Sequence, residues 1–482
     1  MNASWDICEV AWPDDPVSAA YAFADGAELA WLDSTADLAA RPGDARYSLL
    51  CARPCGVLEQ FDGEPAAFWI GDRLADCDGS GWGLWRRVAG RLPRLPTLPC
   101  GLSPGWVGYL GFEMARQLET LPASHHEDLG LPLLRLALFN RGIVLDHRAR
   151  RAFAVHAPGV GEVFADGGRN LDAEWLARWD EAAEARCDFA APVVRVRPET
   201  ERAAYEQRVM RAIEYIRAGD IYQVNLAHRL RLEGVGPPLA VYAAVRRANP
   251  APYAALLSWS DGAIVSVSPE LFLRLREGAV RTRPIKGTRP RTGDPERDEA
   301  LRRELVASPK EAAELTMIVD LHRNDLGRVC EYGSVRVEHP RRVETHPTVF
   351  HTVADVTGRL APGRDGLDLL MACFPAGSIS GVPKIRALQI IDELEPVARA
   401  VYSGAIGVLG LDGQMTFNVA IRTLQIRGAA ATLYVGGGIV ADSDPAAEYE
   451  ETQAKARGIL AGIGSVRPLC RTSIGRKMAG KR

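Results

Sequence analysis

The chain has 482 residues, 47% hydrophobic and 25% charged, the balance of a soluble globular protein with a large core. A net charge of −3 argues against nucleic-acid binding by the chain as a whole. Apolar runs such as AVYSGAIGVLG fall short of the ~20 residues of a bilayer span, and scattered cysteines with no C-x-x-C pair suit a reducing, cytoplasmic setting.

In chain order, the N-terminus MNASWDICEVAWPDD carries acids early and has no apolar core, so no signal peptide is read there. GRLPRLPTLPCGLSPG (90–105) is a proline-rich loop, and an irregular zone starts at 157–168. The main boundary is placed near residue 195. It separates a region 1–194 from a region 195–465, and residues 466–482 form a basic tail expected to be disordered. Past the boundary, Tyr205, Val209, Ala212, Ile213 and Ile216 recur at helical spacing, and Gly219 offers a stop. IYQVNLAHRL alternates as a strand, with Tyr222, Val224 and Leu226 on one face and Gln223 and Asn225 on the other. AIVSVS, ELFLRLR, AVRTRPI, AIGVLGL, QMTFNVAIRTLQI and ATLYVGGGIV read as further strands, and Asp412-Gly413 as a hairpin turn. Many hairpin-joined strands with few helices between them predict an α+β fold. Its large, mainly antiparallel sheets should pack as a sandwich with helices outside.

Three stretches carry chemistry. SPKEAAELTMIVDL is a helix with Ser308 as cap, Pro309 at the first position and Glu311 completing a capping box. Glu314, Met317, Ile318 and Leu321 share a face of it, so Glu314 lies on the apolar stripe and needs a metal, a cation or a proton. In DSDPAAEYEETQAKARGIL, Asp444 caps and Glu448, Glu451 and Lys455 share a face. These are either hard oxygen ligands of the kind Mg²⁺ accepts or a solvated acidic face with a Glu451–Lys455 pair. Gly436, Gly437 and Gly438 end a strand, as an anion cradle or a loose turn. Arg422 is either a bidentate carboxylate partner or a surface arginine.

Residues 200–460 resemble the chorismate-utilising enzymes: anthranilate synthase component I, aminodeoxychorismate synthase component I, isochorismate synthase and salicylate synthase. The blocks are IYQVNL, NPAPYAALL, SPELFL, RPIKGTRPR, ELTMIVDLHRNDLGRV, FPAGSISGVPKIRALQIIDELEP, YSGAIG, FNVAIRT and GGGIVADSDPAAEYEETQAKA. WLDS, RYSLLCARP and GWVGYLGFE extend the resemblance more weakly into the first half. It implies that Glu314 and Glu451 coordinate Mg²⁺, with Glu448 beside them, and that the metal holds the ring carboxylate of chorismate. It further implies that Lys455 and the Gly437–Gly438 amides hold carboxylate oxygens and that Arg422 and Tyr434 hold the enolpyruvyl group. Gly436 and Thr288 join the substrate contacts, and His351 assists departure of the C4 hydroxyl.

Two positions discriminate among members. Family members that add water carry a lysine base where this chain has Gln223, and an amide cannot take a proton from water. At Lys286 this chain reads PIKGT, which resembles aminodeoxychorismate synthases, where anthranilate synthases read PIAGT. Repulsion from Arg283, Arg289 and Arg291 is expected to favour a neutral, nucleophilic Lys286, which adds at C2 before ammonia attacks C4. The sequence holds no glutaminase segment, so a separate glutamine amidotransferase is expected to supply ammonia. Asp33 and Ser34, with Asn249, Pro250 and Tyr253, resemble a tryptophan pocket with one departure in each motif.

Overall fold

The structure is a computed structural model that describes residues 4–35, 46–163, 173–189, 193–346 and 349–466. Alternating apolar positions build two sheets, of thirteen and twelve strands. One pairing among the described strands is parallel, between Val193–Pro198 and Gly464–Val466, and the others are antiparallel. Leu49, Val144 and Ile264 of one sheet pack with Val107, Tyr109 and Val408 of the other, which closes the sandwich. The outer face of the thirteen-stranded sheet is covered by helices Pro16–Ala24, Ala173–Ala183, Pro238–Ala248 and Pro445–Leu460. The expected α+β sandwich with outer helices is the fold observed.

Strands from both sides of residue 195 share both sheets. Tyr253–Ser258 pairs with Leu29–Asp33, and Ala405–Gly410 pairs with Gly105–Leu110. Residue 195 itself lies in strand Val193–Pro198. The basic tail beyond residue 466 lies outside the described residues.

Four local expectations change. QMTFNVAIRTLQI divides into Met415–Val419 in the twelve-stranded sheet and Thr423–Arg427 in the thirteen-stranded one. The break carries Arg422 at φ 52°, a left-handed conformation that costs of order 1–3 kcal/mol for a side-chain-bearing residue. AVRTRPI also divides, at Pro284, because proline has no N–H for the ladder. Gly436–Gly438 do not end their strand but run inside Ala430–Ile439. The capping box is half made: Ser308 accepts from the Glu311 N–H at 3.3 Å, but the Glu311 carboxylate accepts from Arg289 at 3.2 Å instead of turning back. The buried stripe of helix Pro309–Gly327 is Leu315, Ile318, Val319, His322, Asp325 and Leu326. Glu314 sits at its margin, with its side chain 13% exposed.

Candidate active site

A bulge aims the lysine. Strand Ile285–Pro290 pairs with Val349–Arg359 through Ile285↔Val353 and Thr288↔His351, so Lys286 and Gly287 together face one residue of the partner. Gly287 takes φ +86°, and a Cβ on it would stand 2.8 Å from the Glu311 carboxylate, so only glycine fits. An extra residue of this kind redirects the neighbouring side chain. Lys286 Nζ ends 2.8 Å from where a Cβ on Gly438 would be, and Gln223 Nε2 ends 3.0 Å from the same point. The missing side chain at Gly438 therefore lets the amine and the amide converge on the strand. Gln223 is fully buried, and among the described residues neither of its amide atoms has a hydrogen-bond partner.

The charges that Lys286 meets are acidic. Its ammonium opposes the upward push that burial exerts on the carboxyls of Glu270 and Glu314, and it helps Lys455 hold Glu451 below the ordinary range. The arginines of the same stretch are engaged elsewhere. Arg283 pairs with Asp355 and Glu344, Arg289 with Glu304 and Glu311, and Arg291 with Asp298. The expected crowd of arginines pressing on Lys286 is thus corrected: their charges are met by carboxylates.

Glu270 is the residue that sequence reasoning passed over. It is buried, Oε1 has no partner among the described residues, and burial lifts its pKa to about 7 against the pull of Lys286 and Arg422. SPELFL gave no sign of this, because a glutamate beginning a strand reads as an exposed edge. By period Glu270 is in step with Arg274 and the exposed Arg276, and only the bulge between Leu271 and Arg274, which the sequence does not mark, puts it out of step.

The other acids gather on the two capped helices. Glu448 Oε1 accepts from the Ser443 hydroxyl at 2.7 Å, and its Oε2 lies 3.0 Å from a Cβ placed on Gly437. Burial, then the Glu451 charge, raises Glu448, and burial with Glu311 and Glu451 raises Glu314. Lys455 Nζ bridges Glu451 at 2.8 Å and the Gly436 carbonyl at 2.8 Å. No group of three or more His, Cys, Asp or Glu among the described residues is arranged to hold a metal ion. Magnesium, however, is commonly held by one or two carboxylates with water and substrate, and Glu314 feels the charge of Glu451.

Strand Thr423–Arg427 pairs with residues 430–433 only, so along Gly436–Gly438 that edge has no strand partner. Thr288 Oγ1 and His351 Nδ1 stand 3.0 Å apart, one residue past the bulge, with His346 edge-on to His351 at 5.1 Å. Tyr434 is placed apart from Lys286. It stacks on Tyr402 at 5.3 Å, donates to the Ala398 carbonyl and accepts from Arg229 at 3.3 Å.

A cavity lies between strands of both sheets. Asp33 and Tyr253 line it, with Arg46, Tyr47, Met415 and Asn418. Burial pushes the Asp33 carboxyl up, but Arg246 at 2.6 Å and Tyr242 at 2.8 Å outweigh it and the net is downward. Ser34 binds back to Asp33 and Ser48, and Asn249 ends helix Pro238–Ala248 with Pro250 after it, none of the three among the residues lining this cavity.

Residues 78–461 match the chorismate binding enzyme family. The chain is 41% identical over 435 residues to anthranilate synthase component 1 of Streptomyces coelicolor, covering 87% of this chain and 81% of that protein. It is 40% identical over 368 residues to aminodeoxychorismate synthase component 1 of Klebsiella aerogenes, covering 76% and 78%. The crystal structure of anthranilate synthase component I from Streptococcus pneumoniae TIGR4 superimposes with a TM-score of 0.74 at 30% identity, over 86% of this chain and 92% of that one. By the length of that match and the site it encloses, the chain belongs to the chorismate binding enzyme family.

Proposed function

We propose that this protein converts chorismate and ammonia to 4-amino-4-deoxychorismate, with Lys286 as a transient nucleophile. The observation that carries the reading is the Lys286 amine, turned by its bulge onto the Gly438 backbone beside Gln223. The neutral form of the Lys286 amine, its proton released to solvent before the step, bonds to C2 of chorismate as the C4–O bond breaks. Glu270, a carboxyl whose pKa burial lifts to about 7, gives its proton to the departing hydroxyl, which leaves as water. Ammonia then bonds to C4 and the C2–N bond to Lys286 breaks. The new C4 ammonium returns a proton to Glu270. While Lys286 occupies C2, ammonia cannot attack the carbon that leads to anthranilate. Gln223 offers no base for water.

Arg422, held near Glu270, and Lys455 with the glycine edge suit the two substrate carboxylates. Glu314 and Glu451, with Glu448 beside them, would hold Mg²⁺, which supplies a fixed positive charge for the ring carboxylate. His351, paired with Thr288, flanks the leaving side. Component I enzymes of the family work with a separate amidotransferase, the expected source of ammonia from glutamine. The product would need a lyase to become 4-aminobenzoate, the folate precursor. The Asp33–Tyr253 cavity is the place for tryptophan, whose amine would compete with Arg246 for the Asp33 carboxylate.

Anthranilate synthesis is the second reading, favoured by the names that most of the similar relatives carry. Intact-protein mass spectrometry separates the two. Wild-type protein quenched with chorismate and Mg²⁺ but no ammonia should carry a substrate-derived mass on Lys286, and Lys286→Ala should carry none. An unmodified wild type whose Lys286→Ala variant keeps its rate and product would end the nucleophile role.

A further inference from the structure

His351 carries a second imidazole against its own. His346 directly follows strand Arg336–Thr345, and its N–H donates to the Val349 carbonyl at 2.8 Å, at the start of strand Val349–Arg359. Its own carbonyl accepts from Arg291 at 2.9 Å. His346 and His351 are both buried, 8% and 3% exposed. Their ring centroids lie 5.1 Å apart with the planes at 65°, an edge-to-face contact. His346 Nε2 stands 3.8 Å from Glu344 Oε2. Glu344 is buried too, and it is the register partner of His351 across the two strands. Its Oε1 accepts from Arg283 and, at 2.9 Å, from Arg342.

These contacts form a line. Arg283 and Arg342 hold Glu344, Glu344 faces His346, and His346 faces His351. The turn between the strands uses only the His346 backbone, so closing the hairpin does not explain an imidazole buried against His351. The His351 ring needs a second restraint. The torsion that turns an imidazole about its Cβ–Cγ bond is broad, with no sharp staggered wells. Thr288 Oγ1, at 3.0 Å from Nδ1, fixes one atom of the ring. A neighbouring ring set edge-to-face fixes the plane. A group that takes part in catalysis has to keep its direction to within ~10–20°.

We infer that His346 is a positioning residue for His351: its ring holds the plane of the His351 imidazole towards the departing C4 hydroxyl, and Glu344 in turn holds His346. His346 acts through His351 and is not called on to meet the substrate. Nothing in this line belongs to the nucleophile or to the acids of the two capped helices. The inference rests on the proposed function, in which His351 flanks the leaving side.

The test follows consumption of chorismate by the full chain with Mg²⁺ and saturating ammonium. His346→Ala should lower kcat about ten-fold, the upper end for an edge-to-face ring pair, with the KM for chorismate unmoved. His346→Phe keeps a flat ring at the position and should recover most of that loss. The double variant His346→Ala/His351→Ala should be no slower than His351→Ala alone, because a positioning residue has nothing to act on once His351 is gone. A merely structural His346 would give losses that add in the double variant. The inference is wrong if His346→Ala keeps the wild-type kcat, if His346→Phe is as slow as His346→Ala, or if the two losses add. Should His346→Ala not fold, His346→Asn takes its place in the same cycle. If His351→Ala itself keeps the wild-type kcat, the role given to His351 in the proposed function fails, and this inference with it.

Discussion

Two buried carboxyls, Glu113 and Glu270, are pushed by burial from 4.5 to about 7. Each keeps its proton in the fold over a range where the unfolded chain has released it. Folding stability from these groups is therefore full below pH 4.5 and falls as pH rises through 7, by roughly 3 kcal/mol per group. Glu270→Gln should melt higher than wild type at pH 8 but not at pH 5, while kcat falls about 10²–10⁴-fold for loss of the acid. Thermal unfolding and initial rates at the two pH values check this; a variant less stable at pH 8 would contradict a neutral buried Glu270. Wild-type kcat at saturating ammonia should decline above pH 7 as Glu270 loses its proton. Glu314→Gln and Glu451→Gln should each stay folded and weaken Mg²⁺ binding, read by titration of the protein with Mg²⁺ in the absence of substrate. At this scale the sequence told much. Lys286 and Gln223 were legible because motif position alone marks them. Glu270 was not, because three strands and the loop around Ser378 create its burial. The role first given to the arginines failed because carboxylates meet them in the fold, Asp355 and Glu344 from distant strands at Arg283 and Glu304, Glu311 and Asp298 from the two following helices at Arg289 and Arg291.

Helix caps and strand breaks position the site's side chains. Asp444 accepts from the Ala447 N–H at 2.8 Å at the start of the helix that carries Glu448, Glu451 and Lys455. Asp444→Ala should cost about 1 kcal/mol of stability. Because the first turns of that helix carry the acids, it should also weaken Mg²⁺ binding, whereas Ser334→Ala, which removes a turn hydrogen bond to the Glu331 carbonyl elsewhere in the fold, should leave it unchanged. A melting-temperature fall with unaltered Mg²⁺ titration would show that the cap does not hold the acids in place. Both helix starts were legible from Ser308-Pro309 and Asp444-Pro445, since proline after a capping residue has few other places to go. The break at Arg422 was not. QMTFNVAIRTLQI alternates on Met415, Phe417, Val419 and Ile421 and then slips phase to Leu424 and Ile426, and such a slip reads as a bulge in one strand unless two sheets are known to need a strand each. Likewise nothing local marks the bulge at Lys286-Gly287, which depends on register with His351 and Val353.

At the scale of the whole molecule, the two sequence regions interleave. The strand carrying Leu29–Asp33 completes the pairing of Tyr253–Ser258, and Gly105–Leu110 does the same for Ala405–Gly410. A fragment of residues 195–465 would expose both edges and should not unfold cooperatively alone, while adding residues 1–194 as a separate chain should restore a sharp transition. Circular dichroism on heating reads this, and a cooperative, active 195–465 fragment would contradict it. The antiparallel sandwich was legible from alternation and hairpin signals, but the sharing of strands across residue 195 was not, because pairing of distant segments leaves no local pattern. The central claim concerns which carbon of chorismate receives nitrogen. Purified protein with chorismate, Mg²⁺ and excess ammonium, resolved by chromatography with and without an added aminodeoxychorismate lyase, answers it. The account predicts 4-amino-4-deoxychorismate that the lyase converts to 4-aminobenzoate; anthranilate as the main product, formed without the lyase, would contradict it.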